Sequence, residues 1–139
     1  MIVLGIDLGE RRVGFAVSDE RERLAVPSGF ARINAPAEAL AAVAAKAKAE
    51  GAGLLVVGHP LNLDGRAGPK AREAAQFRDR LAEAGWNAVL WDERLTTREA
   101  ARLLKEAGLN RRRRQGRLDS EAARLLLESF LAGSRKRPP

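Results

Sequence analysis

Three acidic residues occupy positions where a carboxylate could do chemistry. Asp7 lies inside an apolar run, Glu93 follows the apolar run that ends at Trp91, and Asp119 precedes a helical-period apolar stripe. A carboxylate in apolar surroundings is costly unless it is paired, hydrogen-bonded or bound to a metal. Carboxylates that converge repel one another and need a cation, and oxygen-only ligation suits Mg²⁺ or Mn²⁺. Two such ions about 4 Å apart activate water and stabilise the leaving oxygen in phosphodiester hydrolysis.

Each acid also has a structural interpretation. The backbone amides of the glycine-rich turn that follows could hold Asp7, and Glu93 could form an ion pair with Arg94 or Arg98. Asp119 would suit the positive end of a helix dipole. The chain has no cysteine and a single histidine, which argues against zinc. Whether the three acids act together depends on the elements that carry them.

The apolar runs predict an α/β fold. Strands are predicted over residues 2–8, 13–17, 24–33, 54–57 and 88–91. Helices are predicted from Asn34, as cap, to Glu50, and over residues 69–84, 96–107 and 118–131. A three-stranded meander followed by right-handed crossovers gives one five-stranded mixed sheet with helices on both faces. Strands 1 to 3 are then antiparallel, strands 1, 4 and 5 are parallel, and the first strand is central.

This arrangement predicts that the acids meet at one end of the sheet. In open α/β sheets, ligands bind in the crevice at the carboxyl ends of the strands. Gly58 ends the strand expected between those carrying Asp7 and Glu93, and it would leave room for them to approach. His59 is predicted to be a loop residue.

Composition indicates one domain with a polyanionic partner. The chain has 139 residues, 45% of them hydrophobic, with a net charge of +7. A single domain is expected over residues 1–133, with a disordered basic tail over 134–139. No apolar run approaches the roughly 20 residues that span a bilayer, and no signal peptide is recognisable. Together with the lack of cysteine, this predicts a cytoplasmic protein that does not bind a membrane.

Arginine supplies most of the positive charge and marks the predicted nucleic-acid contacts. Arg11 and Arg12 lie in the first turn, where they could contact a phosphate backbone or pair with nearby acids. A basic run precedes Asp119 and could bring substrate phosphates close to the metals, or it could be a solvated loop. The residues of this run are Arg111, Arg112, Arg113, Arg114 and Arg117. The few aromatic residues favour recognition by shape and backbone rather than by base sequence.

Four segments resemble motifs of the YqgF family, also called RuvX. They are residues 5–14, 56–65, 92–97 and 118–123, and the Asp-Glu-Arg-Leu-Thr-Thr block at 92–97 is the most specific. The resemblance implies a ribonuclease H-like fold. It also implies metal-binding and catalytic roles for Asp7, Glu93 and Asp119. Family members are described as candidate Holliday junction resolvases or candidate nucleases maturing the 5′ end of pre-16S ribosomal RNA.

One difference between this chain and the resolvase RuvC bears on the choice between these two activities. The resolvase RuvC has its second acid on the fourth strand, whereas this chain has Gly58 and His59 there and its acid after the fifth. We therefore expect a metal-dependent nuclease acting on precursor ribosomal RNA, in contact with ribosomal particles, as a monomer or homodimer. A resolvase of branched DNA is the first alternative, and a non-catalytic ribosome-assembly factor is the second.

Overall fold

A computed structural model describes residues 1–95 and 117–135, in which one five-stranded sheet forms the centre. The strands are β1 (Ile2–Leu8), β2 (Arg12–Ser18), β3 (Ala25–Arg32), β4 (Ala52–His59) and β5 (Ala88–Asp92). Their order is β3-β2-β1-β4-β5, with β1 antiparallel to β2 and parallel to β4. The predicted five-stranded mixed sheet, with its central first strand, is confirmed.

Helices cover both faces of this sheet. They are α1 (Pro36–Glu50), α2 (Pro69–Glu83), a 3-10 turn (Glu93–Leu95) and α3 (Arg117–Arg135). The α3 helix runs beyond its predicted end at residue 131. The predicted helix over 96–107 and the predicted nucleic-acid contacts Arg111, Arg112, Arg113 and Arg114 lie outside the described residues, as does the Arg117 side chain. None of the helices within 1–95 and 117–135 is both long and apolar enough to cross a membrane.

Alternation along the strands divides the core into two layers. Leu4 and Ile6 of β1 pack with residues of α1 and α2, whereas Val3 packs with residues of α3 such as Leu127. Successive side chains of a strand point to opposite faces. Asp7 therefore lies on the same face of β1 as Val3, the face that α3 covers.

The start of α1 differs from its prediction. Asn34 was expected to be the cap, but the N-cap residue is Ala35, which offers no side-chain acceptor. Instead, the Glu38 carboxylate accepts hydrogen bonds from the backbone N–H of Ala35, at 3.0 Å, and of Asn34. The prediction was wrong because it considered only the side chain before the helix. A first-turn acid can cap the start from inside the helix, because it accepts from the N–H groups of the N-cap residue and of the residue before it.

His59 also differs from its prediction. It is the last residue of β4 rather than a loop residue, and it pairs with Asp92 of β5. Alternation places His59 on the opposite face from Gly58, away from α3. The apolar run ends at Gly58, so hydrophobicity alone could not indicate that the strand continues.

Candidate active site

Asp7 is flanked by glycine on both neighbouring strands. Its partner across the antiparallel β1–β2 pair is Gly14. On the other side Ile6 pairs with Val57, so Gly58 is the next neighbour of Asp7 along the parallel pair. Paired residues on adjacent strands share a face of the sheet. The buried Asp7 carboxylate therefore has a gap on either side where a side chain would otherwise stand.

Glu93 fills the gap at Gly58. An ideal Cβ on Gly58 would lie 2.6 Å from Glu93 Oε1 and 3.2 Å from Leu126 Cδ2. Adjacent-strand Cβ positions are about 5 Å apart, so the Glu93 carboxylate lies within about 8 Å of the Asp7 Cβ. Glu93 begins the 3-10 turn that follows β5, and its side chain reaches across to Gly58 of β4. This supports the packing role that the sequence suggested for Gly58.

Asp119 fills the gap at Gly14. An ideal Cβ on Gly14 would lie 2.9 Å from the Asp119 Cβ and closer still to its carbonyl oxygen. The same strand spacing brings the Asp119 Cβ within about 8 Å of the Asp7 Cβ. A row of positions thus runs across one face of the sheet, with Asp7 in the middle and the other two acids at its ends.

Two contacts fix the position of Asp119 in the first turn of α3. Arg12 Nε donates to Asp119 Oδ2 at 3.1 Å, and the carboxylate is only 1% exposed. Ser120 Oγ donates to the Phe15 carbonyl at 3.0 Å and accepts from the Gly29 N–H at 3.1 Å. The hydroxyl of Ser120 therefore ties α3 to both β2 and β3. Pairing with an acid is one of the two roles that the sequence left open for Arg12.

Asp7 and Glu93 line a common cavity of about 170 Å³ at the carboxyl ends of β1 and β4. We call it the acidic cavity. From the part of the chain that the structure describes, its wall carries four carboxylates and one ammonium group, those of Asp7, Glu10, Glu73, Glu93 and Lys70. Such a cavity repels a phosphate group unless cations are present. Glu10, Lys70 and Glu73 were missed in the sequence because they fall outside the apolar stripes that located the other acids.

The structure brings the three predicted acids together only in part. Asp119 does not line the acidic cavity, and its carboxylate is directed to Arg12. Within residues 1–95 and 117–135, no three acidic or histidine side chains lie close enough together to ligate one ion. The Gly9 N–H of the first turn donates to the Arg12 carbonyl at 3.0 Å, so this amide does not hold Asp7.

Beside the site, Arg94 binds Asp92. The Arg94 guanidinium donates to both Asp92 carboxylate oxygens, at 2.7 to 3.1 Å. The hydrogen bonds from this side chain hold the pKa of Asp92 below its usual value. The alternative of an Arg98 partner for Glu93 lies outside the described residues.

The strand order and the helices on both faces of the sheet define the fold class, which is ribonuclease H-like. The chain is similar to Thermus thermophilus RuvC in complex with a Holliday junction substrate, with a TM-score of 0.59 and 16% identity over 98% of this chain and 96% of that one. It is also similar to the fowlpox virus resolvase bound to Holliday junction DNA, with a TM-score of 0.58 and 9% identity over 98% and 100%. At these identities the likeness concerns the fold.

The sequence identifies the family. Residues 1–133 match the profile described as RuvX, Holliday junction resolvase, and the chain belongs to that family. A relative from Anaeromyxobacter sp. (strain Fw109-5) is 42% identical over 96% of this chain and 98% of its own length. One from Pelotomaculum thermopropionicum is 41% identical over 94% and 86%. Both are named "Putative pre-16S rRNA nuclease". The family resemblance seen in the sequence is confirmed, and with it a nuclease family acting on nucleic acid.

Proposed function

We propose that this protein is a metal-dependent nuclease that hydrolyses phosphodiester bonds of structured RNA, and that it matures the 5′ end of pre-16S ribosomal RNA. The observation that carries the proposal is the acidic cavity, which both Asp7 and Glu93 line because glycine at position 58 leaves room for the Glu93 carboxylate. The names of the relatives support the choice of substrate.

The residues of the acidic cavity fit a divalent cation. Its donors are carboxylate oxygens, which Mg²⁺ and Mn²⁺ prefer, and the missing Cβ of Gly58 lets the Glu93 carboxylate lie beside the position of Asp7. Asp7 and Glu93 would hold the ion, and Asp119 would complete the set of acids. When bound, the ion supplies an activated water and stabilisation of the leaving oxygen.

The chain's own residues then orient the substrate. Among the described residues that line the acidic cavity, Lys70 carries the only ammonium group, so its side chain can bind a phosphate oxygen directly. Asp7 is buried in the central strand, so its carboxylate has little freedom to move. Arg12 neutralises the buried Asp119 carboxylate and holds it beside Gly14. Asp119 can therefore belong to the active site without leaving an uncompensated buried charge.

Cleavage of a precursor RNA by the full-length chain tests this proposal. The RNA is a 16S fragment with its 5′ extension, incubated with Mg²⁺, with Mn²⁺ and with EDTA. We expect cleavage only with metal, and a loss of about 10³-fold in rate for Asp7→Asn, because several kcal/mol of charge stabilisation disappear. Asp79→Asn is the matched control, since Asp79 is exposed on α2 and pairs only with its neighbour Arg78 within the described residues.

The results of this assay distinguish a nuclease from a non-catalytic assembly factor. Cleavage by Asp7→Asn at the wild-type rate would overturn the proposed active site. Binding of the RNA without cleavage at any metal concentration would instead support the non-catalytic assembly factor.

A Holliday junction resolvase is the second candidate, and the description of the matching family profile favours it. Resolution needs two symmetric incisions, which a homodimer supplies. A four-way DNA junction incubated under the same conditions, with the oligomeric state measured by sedimentation, tests it. Paired symmetric nicks faster than RNA cleavage would favour the resolvase.

A further inference from the structure

A second cavity, rich in arginine, adjoins the acidic one. Its volume is about 610 Å³, and the described charged residues that line it are three arginines and one glutamate, namely Arg11, Arg12, Arg32 and Glu10. We call it the arginine cavity. Glu10 also lines the acidic cavity, so the two cavities meet at the first turn of the chain.

Two of these arginines lie opposite each other on neighbouring strands. Arg12 and Arg32 are direct partners across the antiparallel β2–β3 pair. Like charges directly opposite each other on adjacent strands destabilise a sheet. The Asp119 carboxylate neutralises Arg12 at 3.1 Å. Among the residues that the structure describes, no carboxylate forms an ion pair with Arg32 or Arg11, and both are exposed. An anion bound beside Arg32 and Arg11 would neutralise the positive charge that remains.

The backbone that carries the arginines is fixed. The Ile33 N–H donates to the Arg11 carbonyl at 2.9 Å, and the Gly9 N–H donates to the Arg12 carbonyl at 3.0 Å. The first bond connects the β1–β2 turn to the end of β3, and the second closes the turn itself, so the Arg11 and Arg32 backbones cannot separate freely. Arginine binds phosphate through a planar fork of N–H donors, which makes a rigid group of arginines selective for this anion.

We propose that the arginine cavity binds a backbone phosphate of the nucleic acid next to the one that enters the acidic cavity. Arg32 is not among the nucleic-acid contacts predicted from the sequence. It binds the phosphate together with Arg11 and with the outward side of the Arg12 guanidinium. The proposal rests on the proposed function for its choice of ligand. The shared border at Glu10 supports it, because consecutive phosphates of one strand can then occupy the two cavities in turn.

The test is binding of a fluorescein-labelled RNA hairpin in EDTA, followed by fluorescence anisotropy over a range of salt concentrations. We expect Arg32→Ala to weaken binding about tenfold and to reduce the salt dependence by about one phosphate contact. Arg21→Ala is the matched control. It removes the same charge from an exposed residue beyond the other end of β2, about 20 Å away for a seven-residue strand.

Competition distinguishes a phosphate site from general positive charge. Inorganic phosphate should displace the hairpin from the wild type more effectively than chloride at the same ionic strength, and this difference should be lost in Arg32→Ala. Equal effects of Arg32→Ala and Arg21→Ala, or equal competition by both anions, would overturn the proposal. Because no metal is present, failure of the nuclease proposal leaves this result interpretable.

Discussion

Replacing Gly58 by alanine tests whether the space beside Asp7 serves Glu93. The new Cβ would lie 2.6 Å from Glu93 Oε1, and an ordinary contact requires about 3.5 Å. The Glu93 carboxylate must therefore move by about 1 Å. The moving atoms are the end of a flexible, half-buried side chain, so the cost in stability should stay below about 2 kcal/mol. A misplacement of about 1 Å at a catalytic group reduces the rate by about 10²-fold.

The assay is single-turnover cleavage of the precursor RNA with Mn²⁺, together with thermal unfolding. Gly53→Ala is the matched control on the same strand, because its Cβ would lie 2.7 Å from the Met1 Sδ, also the end of an exposed and flexible side chain. Gly58→Ala should lose activity while both variants unfold at similar temperatures. Wild-type cleavage by Gly58→Ala would refute the role given to this space and to Glu93.

Three further changes test the surroundings of the site. Gly14→Ala should lower the unfolding temperature by several degrees, because its Cβ would meet the Asp119 backbone, which cannot move without shifting α3. Ser120→Ala should cost about 1–3 kcal/mol in denaturant unfolding, since the amide and carbonyl that it joins lose a buried partner. The pKa of Asp92 is lowered by Arg94, so this pair stabilises the fold above the usual carboxyl pKa and the effect disappears as pH falls through the lowered value. In Asp92→Asn, acid unfolding should lose that component, and an unchanged pH profile would contradict it.

The sequence predicts the sheet well because each strand is a separate apolar run with its own turn signals. The two-sided apolar character of residues 2–8 marked β1 as central, and its neighbours on both sides are confirmed. The predictions are wrong where an interaction other than hydrophobic burial determines where an element begins or ends. His59 extends β4 through backbone pairing with Asp92, and Glu38 caps α1 from within the helix.

The sequence indicates candidate acids for the site but not the residues that surround them. A carboxylate inside an apolar strand is a strong signal, which is why Asp7 could be chosen from the sequence. Lys70 and Arg32 are ordinary surface residues by pattern, and only the tertiary arrangement places them in cavities beside it. The ion pair between Arg12 and Asp119 joins residues far apart in the chain, and no local pattern predicts such a contact.

Binding of Mn²⁺ within a crystal of this protein tests the central claim most directly. An anomalous difference map from crystals grown with Mn²⁺ should have its strongest peak in the acidic cavity, at about 2.2 Å from carboxylate oxygens of Asp7 and Glu93. The same crystals of Asp7→Asn should lack this peak. A map in which the wild-type cavity holds no manganese, or in which the ion binds elsewhere, would contradict the account.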